Sequence, residues 1–168
     1  MSGYKILLVD DEEQVLNSLK RALHSDDYII YTSLSAEEAG EVVKTERLHL
    51  IICDYQLGGM NGMEFLKKVS QESPEIITIL LTGHAELTAA IEAINEAILY
   101  KFIVKPWDND ELRVTVQRAL EHRAAISDNK RLLNEITRRD EYIIKLEKEY
   151  PGITRIKRNA QGRVILEP

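Results

Sequence analysis

Five short runs of apolar, largely β-branched residues punctuate the first two thirds of the chain: Lys5 to Val9, Tyr28 to Thr32, Leu48 to Cys53, Ile76 to Leu81 and Tyr100 to Val104. Three stretches, Ile6-Leu7-Leu8-Val9, Leu50-Ile51-Ile52-Cys53 and Ile76 to Leu81, are almost continuously apolar, as in strands covered on both faces. Between the runs the apolar positions change to helical spacing: Val15, Leu16, Leu19, Ala22 and Leu23; Ala36, Ala39, Val42 and Val43; Met63, Phe65, Leu66 and Val69; Leu87, Ala90, Ile91 and Ile94. Ser35 before Ala-Glu-Glu, and Asp108 before Asp110-Glu111, supply capping oxygens and first-turn acids for two of these helices. Alternating strand and helix in five units predicts an α/β fold with a doubly wound parallel sheet.

The fifth helix does not stop at the domain edge. No Pro or Gly occurs from Trp107 through Tyr150, and the stretch is rich in helix formers. Ala125, Asn129, Leu132, Ile136, Arg139, Ile143, Leu146 and Tyr150 step by four and three. This heptad-like seam, interrupted by Asn129 and Arg139, predicts a coiled-coil-like helix that pairs in a homodimer or folds back as an amphipathic helix. Pro151-Gly152 ends it. Ile153 to Lys157 and Arg163 to Glu167 flank a glycine-containing turn and predict a small C-terminal β-hairpin. The expected organisation is therefore a domain over residues 1–122, a helical extension over 123–150 and a hairpin tail over 151–168.

Charge sharpens that boundary. Residues 1–122 carry 11 Lys+Arg against 21 Asp+Glu, net −10, whereas residues 123–168 carry 11 against 7, net +4. An acidic first part argues against nucleic-acid binding there. No apolar run approaches the roughly 20 residues needed to cross a bilayer, so no membrane association is expected. A single cysteine, Cys53, inside an apolar run cannot form an internal disulfide, and a cytoplasmic location follows as the expectation.

Chemistry in a parallel sheet collects at the C-terminal ends of the strands, where strand order reverses. Asp10 and Asp11 follow the first run, Asp54 the third, Thr82 the fourth and Lys105 the fifth. In the order 2-1-3-4-5, strands 1 and 3 are central neighbours, so Asp10, Asp11 and Asp54 face one another. Mutually repelling carboxylates are tolerable beside a hard divalent cation, and magnesium suits such a set. With Lys105 as a fixed cation and Thr82 as a hydroxyl donor, the set has the parts of a phosphoryl-transfer site in which Asp54 is the nucleophile. Alone, Asp10 to Glu13 read as readily as helix-capping charge, Thr82 as a loop hydroxyl and Lys105-Pro106 as a turn; their joint placement carries the reading.

These residues resemble the receiver domain of two-component response regulators over about residues 3–122. The resemblance rests on Ile6-Leu7-Leu8-Val9-Asp10-Asp11-Glu12, Ile52-Cys53-Asp54-Tyr55-Gln56-Leu57 with Met60-Asn61-Gly62, Leu81-Thr82-Gly83-His84 and Phe102-Ile103-Val104-Lys105-Pro106-Trp107. It implies that Asp54 accepts a phosphoryl group from a sensor histidine kinase or histidine phosphotransfer protein. It further implies Mg2+ held by Asp10, Asp11, Asp54 and the backbone carbonyl of Gln56, with Lys105 on the phosphoryl oxygens and a cis Lys105-Pro106 peptide. Thr82 and Phe102 fall on its switch positions, acting through the face made by the fourth helix, fifth strand and fifth helix; Gln56 and His84 fall on positions that tune phosphoryl lifetime. Two departures stand out: Gly58 where proline is usual, and no glycine at the end of the fourth helix, Ala93 to Ala97.

The resemblance implies a phosphoacceptor protein rather than an enzyme. No effector motif follows residue 122, so the expected output is a change of contacts with a downstream protein target or in homodimer pairing. The alternative is the regulatory part of an enzyme-coupled or nucleic-acid-binding regulator, acting through the basic tail or a further effector domain. A flavodoxin-like cofactor binder is disfavoured, because no Gly-rich or hydroxyl-rich phosphate loop follows the first strand.

Overall fold

The apolar runs pair side by side as five parallel strands in a computed structural model that describes residues 3–154. The strands are β1 (Tyr4–Val9), β2 (Tyr28–Ser33), β3 (Leu50–Asp54), β4 (Ile77–Thr82) and β5 (Lys101–Val104). Their order is β2-β1-β3-β4-β5, with Val9 opposite Cys53, Asp54 opposite Leu81 and Thr82 opposite Val104. Asp54 and Thr82 are thus the last paired residues of their strands, not loop residues beyond them. At the other end of the third run, Leu48 and His49 lie outside β3.

Side chains alternate across a strand, and the two resulting faces are covered by different helices. Leu7, Val9, Ile51, Cys53 and Leu80 pack under α2 (Ala36–Thr45), α3 (Gly62–Glu72) and α4 (Leu87–Asn95). Ile6, Leu8, Ile52, Ile79, Leu81 and Ile103 pack under α1 (Glu13–Ala22) and α5 (Asn109–Glu149), through Leu16 and Leu19 of the former and Leu112, Val116 and Leu120 of the latter. Burying one such side chain completely contributes about 1.5–3 kcal/mol, so the double covering is what holds the central strands in register.

Caps fix where several helices begin. Ser35 Oγ accepts from the Glu38 amide at 3.1 Å, and Asp108 Oδ1 accepts from the amides of Asp110 and Glu111, both at 2.9 Å. The end of α4 is less expected. Ala97 adopts φ 57°, with its amide bonded to the Ile94 carbonyl and the Ile98 amide to that of Ala93. This is a Schellman stop with alanine in the left-handed position usually given to glycine.

The chain divides into two units after Ala125. In the second, α5 continues to Glu149, and Leu132, Leu133, Ile136, Tyr142, Ile143 and Tyr150 are exposed. Its end is held by Glu147, whose carboxylate accepts from the Gly152 amide at 2.7 Å and from the Thr154 amide and hydroxyl at 3.1 and 2.8 Å. Ile153 and Thr154, where a strand was expected to begin, are turn residues. The remainder of the expected hairpin lies outside the described residues. Among the described residues no helix is long and apolar enough to cross a membrane.

Candidate functional site

The carboxyl edge of the sheet gathers four of the five strand ends into one cleft of about 260 Å3, lined by Asp11, Glu12, Asp54, Tyr55, Gln56, Gly83, Glu86 and Lys105. Asp10, directly after β1, is fully buried beside it, at 0% exposure. Asp54 is 7% exposed and Thr82 0%. Lys105 Nζ spans the two aspartates, 2.7 Å from Asp54 Oδ1 and 3.4 Å from Asp10 Oδ2. One ammonium therefore neutralises part of a site that holds several carboxylates.

Local structure explains these positions. The Asp10 carboxylate does not cap α1; its Oδ1 instead accepts the Glu12 amide at 2.9 Å, and Glu12 caps the helix without a side-chain hydrogen bond. Asp10 is thereby turned inward, while Asp11 and Glu12 stay exposed. The Tyr55 amide bonds the Leu81 carbonyl and the Gly62 amide bonds the Tyr55 carbonyl, both at 2.8 Å, folding the loop after β3 back over the strand end. Gly62 permits that return: a Cβ on it would overlap the carbonyl oxygen of Asp54. Lys105 is set by its amide bond to the Thr82 carbonyl at 2.9 Å and is followed by a cis peptide to Pro106.

Electrostatics in the cleft are unequal. Burial pushes the Asp10 carboxyl above the ordinary carboxylate range, against the Glu12 amide and the Lys105 charge, and the Asp54 charge pushes it the same way. Burial alone would lower Lys105, but the hydrogen bond and charge of Asp54, reinforced by Asp10, leave it above its usual value. Lys105 is thus firmly cationic at neutral pH. Cys53, one residue before Asp54, has its thiol pushed far up by burial and stays protonated.

Asp10, Asp11 and Glu12 each offer a carboxylate oxygen within 4.8 Å of the others. An all-oxygen donor set with one member buried and under repulsion fits a hard divalent cation. Glu12 joins this set although the sequence pattern points only to Asp10 and Asp11 within the same acidic run.

The other expected residues divide. Gln56 lines the cleft, and its Nε2 donates to Glu86 Oε1 at 3.3 Å. Thr82 is within the buried strand end, its hydroxyl donating to the Gly83 carbonyl at 3.1 Å. His84 opens a short 3-10 turn, η1 (His84–Glu86), and is exposed. Phe102 is outside the cleft, half-buried against the core beneath α3 and α4. Glu86 gave no signal in the sequence; its contact with Gln56 joins positions thirty residues apart.

A five-stranded 2-1-3-4-5 sheet with aspartates and a lysine meeting at its carboxyl edge defines a flavodoxin-like signalling domain. Residues 6–117 match the model of the response regulator receiver domain, and the chain belongs to that family. It is a receiver domain of a two-component system, homologous to regulators phosphorylated on aspartate, and a phosphoacceptor by family. The hydrogenase transcriptional regulatory protein HoxA of Cupriavidus necator is 36% identical over 127 residues, 76% of this chain and 26% of that protein. The alginate biosynthesis transcriptional regulatory protein AlgB of Pseudomonas aeruginosa is 27% identical over 157 residues, 94% of this chain and 34% of that protein. A crystal structure of adenylate cyclase from Rhodopirellula baltica superposes with a TM-score of 0.74 at 32% identity, over 79% of this chain and 98% of the other. The chain spans about a quarter of the length of the HoxA proteins of Cupriavidus necator and Bradyrhizobium diazoefficiens.

Proposed function

We propose that Asp54 is the phosphoacceptor of this domain, loaded by the phosphohistidine of a sensor kinase or histidine phosphotransfer protein. The observation that carries the reading is the single ammonium of Lys105 held between Asp54 and the buried Asp10, beside the Asp10-Asp11-Glu12 oxygens. An Asp54 carboxylate oxygen attacks phosphorus, the phosphorus–nitrogen bond of the donor breaks, and the imidazole leaves with the electron pair. Lys105 then follows the charge from the carboxylate to the new phosphoryl oxygens.

Mg2+ is the cation we assign to the acidic set, with Asp10, Asp11, Asp54 and the Gln56 carbonyl as its holders; when bound it neutralises charge that develops on the transferred group. Thr82 supplies the hydroxyl that moves toward the phosphoryl group, and Phe102 turns with it, biasing the face of α4, β5 and α5. Gln56 lines the cleft and His84 directly follows Gly83, which also lines it; both are assigned the role of restricting the approach of hydrolytic water.

The receiver would occupy residues 1–122, the helical extension 123–150 and the tail 151–168. Output then runs through contacts of the exposed face of the extension, in a homodimer or with a downstream protein. A second reading is favoured by the names of HoxA and AlgB, both transcriptional regulatory proteins: the chain would be the regulatory part of a longer nucleic-acid-binding regulator. Incubation with acetyl phosphate and Mg2+ is expected to add one acid-labile phosphoryl group to the wild type and none to Asp54→Ala, read by intact mass. Equal labelling of both proteins would remove Asp54 from its role.

A further inference from the structure

Glu86 ends η1 and lines the cleft that contains Asp54 and Lys105. The side chain is half-buried, and its Oε1 is tied by Gln56 Nε2 at 3.3 Å, joining the loop after β3 to the segment after β4. Beneath it, Gly83 leaves the necessary room, since a Cβ there would stand 3.1 Å from Glu86 Oε2. Lys105 is engaged by Asp54 and Asp10, and among the described residues no lysine or arginine forms an ion pair with Glu86. A carboxylate without an ion-pair partner among those residues, on a different strand end from those of Asp11 and Glu12, is therefore fastened in the lining of the cleft that an anionic phosphodonor must enter.

We propose that Glu86 is a specificity-determining residue that selects phosphodonors by charge, slowing small dianionic donors. A phosphohistidine presented by a docked protein is favoured in consequence, because docking supplies orientation and local concentration that a free metabolite lacks. Glu86 does not touch the acceptor oxygen or take a proton. It acts through the potential in the cleft, and Gln56 is the residue that positions it. The inference rests on Asp54 being the acceptor.

The test compares initial phosphorylation rates of the whole chain at saturating Mg2+ with two small donors, acetyl phosphate, a dianion at neutral pH, and phosphoramidate, a monoanion. Glu86→Gln is expected to accelerate labelling by acetyl phosphate about fivefold, the scale for a carboxylate and a dianion about 9 Å apart in a water-like dielectric. The gain should be smaller with phosphoramidate and should shrink as salt is raised. Glu86→Asp, which keeps the charge, should stay within about twofold of wild type, and urea midpoints of both variants identify any loss of folding. Equal acceleration with both donors, an effect indifferent to salt, or no acceleration in a folded Glu86→Gln would overturn the gate while leaving Asp54 in place. Failure of the wild type to be labelled by either donor would instead overturn the acceptor assignment and the gate with it.

Discussion

Asp10 and Asp11 are adjacent in sequence and opposite in circumstance. One is sealed from solvent, with its carboxyl raised by burial, and the other is exposed. A carboxyl whose folded value lies above its unfolded value binds its proton more tightly in the native state. Its contribution to stability is therefore complete below the ordinary carboxylate range and is lost as pH rises through the raised value. Asp10→Asn is expected to stabilise the protein in EDTA at pH 7 by on the order of 1 kcal/mol, with the advantage vanishing toward pH 4. Thermal melts across that range check it, and equal melting of the two proteins at pH 7 would show that burial of this charge costs the fold nothing. The same variant should bind Mg2+ more weakly in a titration. The run Asp10-Asp11-Glu12 marked the site in the sequence, but which acid turns inward depends on the Glu12 amide reaching back to Asp10 Oδ1, a backbone detail with no side-chain signal.

At the scale of elements, strands were the most legible part, because β1, β3 and β4 are buried on both faces and show it as unbroken apolar runs. Their ends were less so. Asp54 and Thr82 belong to β3 and β4 since each has a backbone partner on the next strand, Leu81 and Val104, and polarity alone had placed them beyond the strands. The sequence carries no glycine after α4, yet the chain turns there regardless, with Ala97 left-handed at φ 57°. That conformation costs an L-residue roughly 1–2 kcal/mol, partly offset because glycine gives the unfolded chain more freedom. Ala97→Gly is accordingly expected to stabilise the domain by about 0.5–1 kcal/mol, seen as a higher urea midpoint at unchanged slope. A lower midpoint would mean that the alanine methyl makes contacts worth more than the strain.

For the whole molecule, the helical period of residues 123–150 correctly forecast a continuous helix, whereas its partner is not written in any single chain. Leu132, Ile136, Ile143 and Tyr150 lie along the seam and are exposed. Arg139 interrupts them and reaches Glu135 on its own helix at 3.5 Å. If the seam is the homodimer contact, Arg139→Leu removes a charge from its centre and should tighten self-association about tenfold, about 1.4 kcal/mol, by sedimentation equilibrium. Unchanged association would assign the exposed face to a different partner.

One hydroxyl gives the sheet a mechanical consequence. Thr78 donates to the Ile98 carbonyl at 2.6 Å, just past the left-handed turn that ends α4. Thr78 and Thr82 project from the same side of β4, four residues apart. Hydrogen-bonded to β3 on one flank and β5 on the other, the strand holds these two hydroxyls at a fixed spacing. Through that bond the corner between α4 and β5 is anchored to the buried strand whose far end carries Thr82.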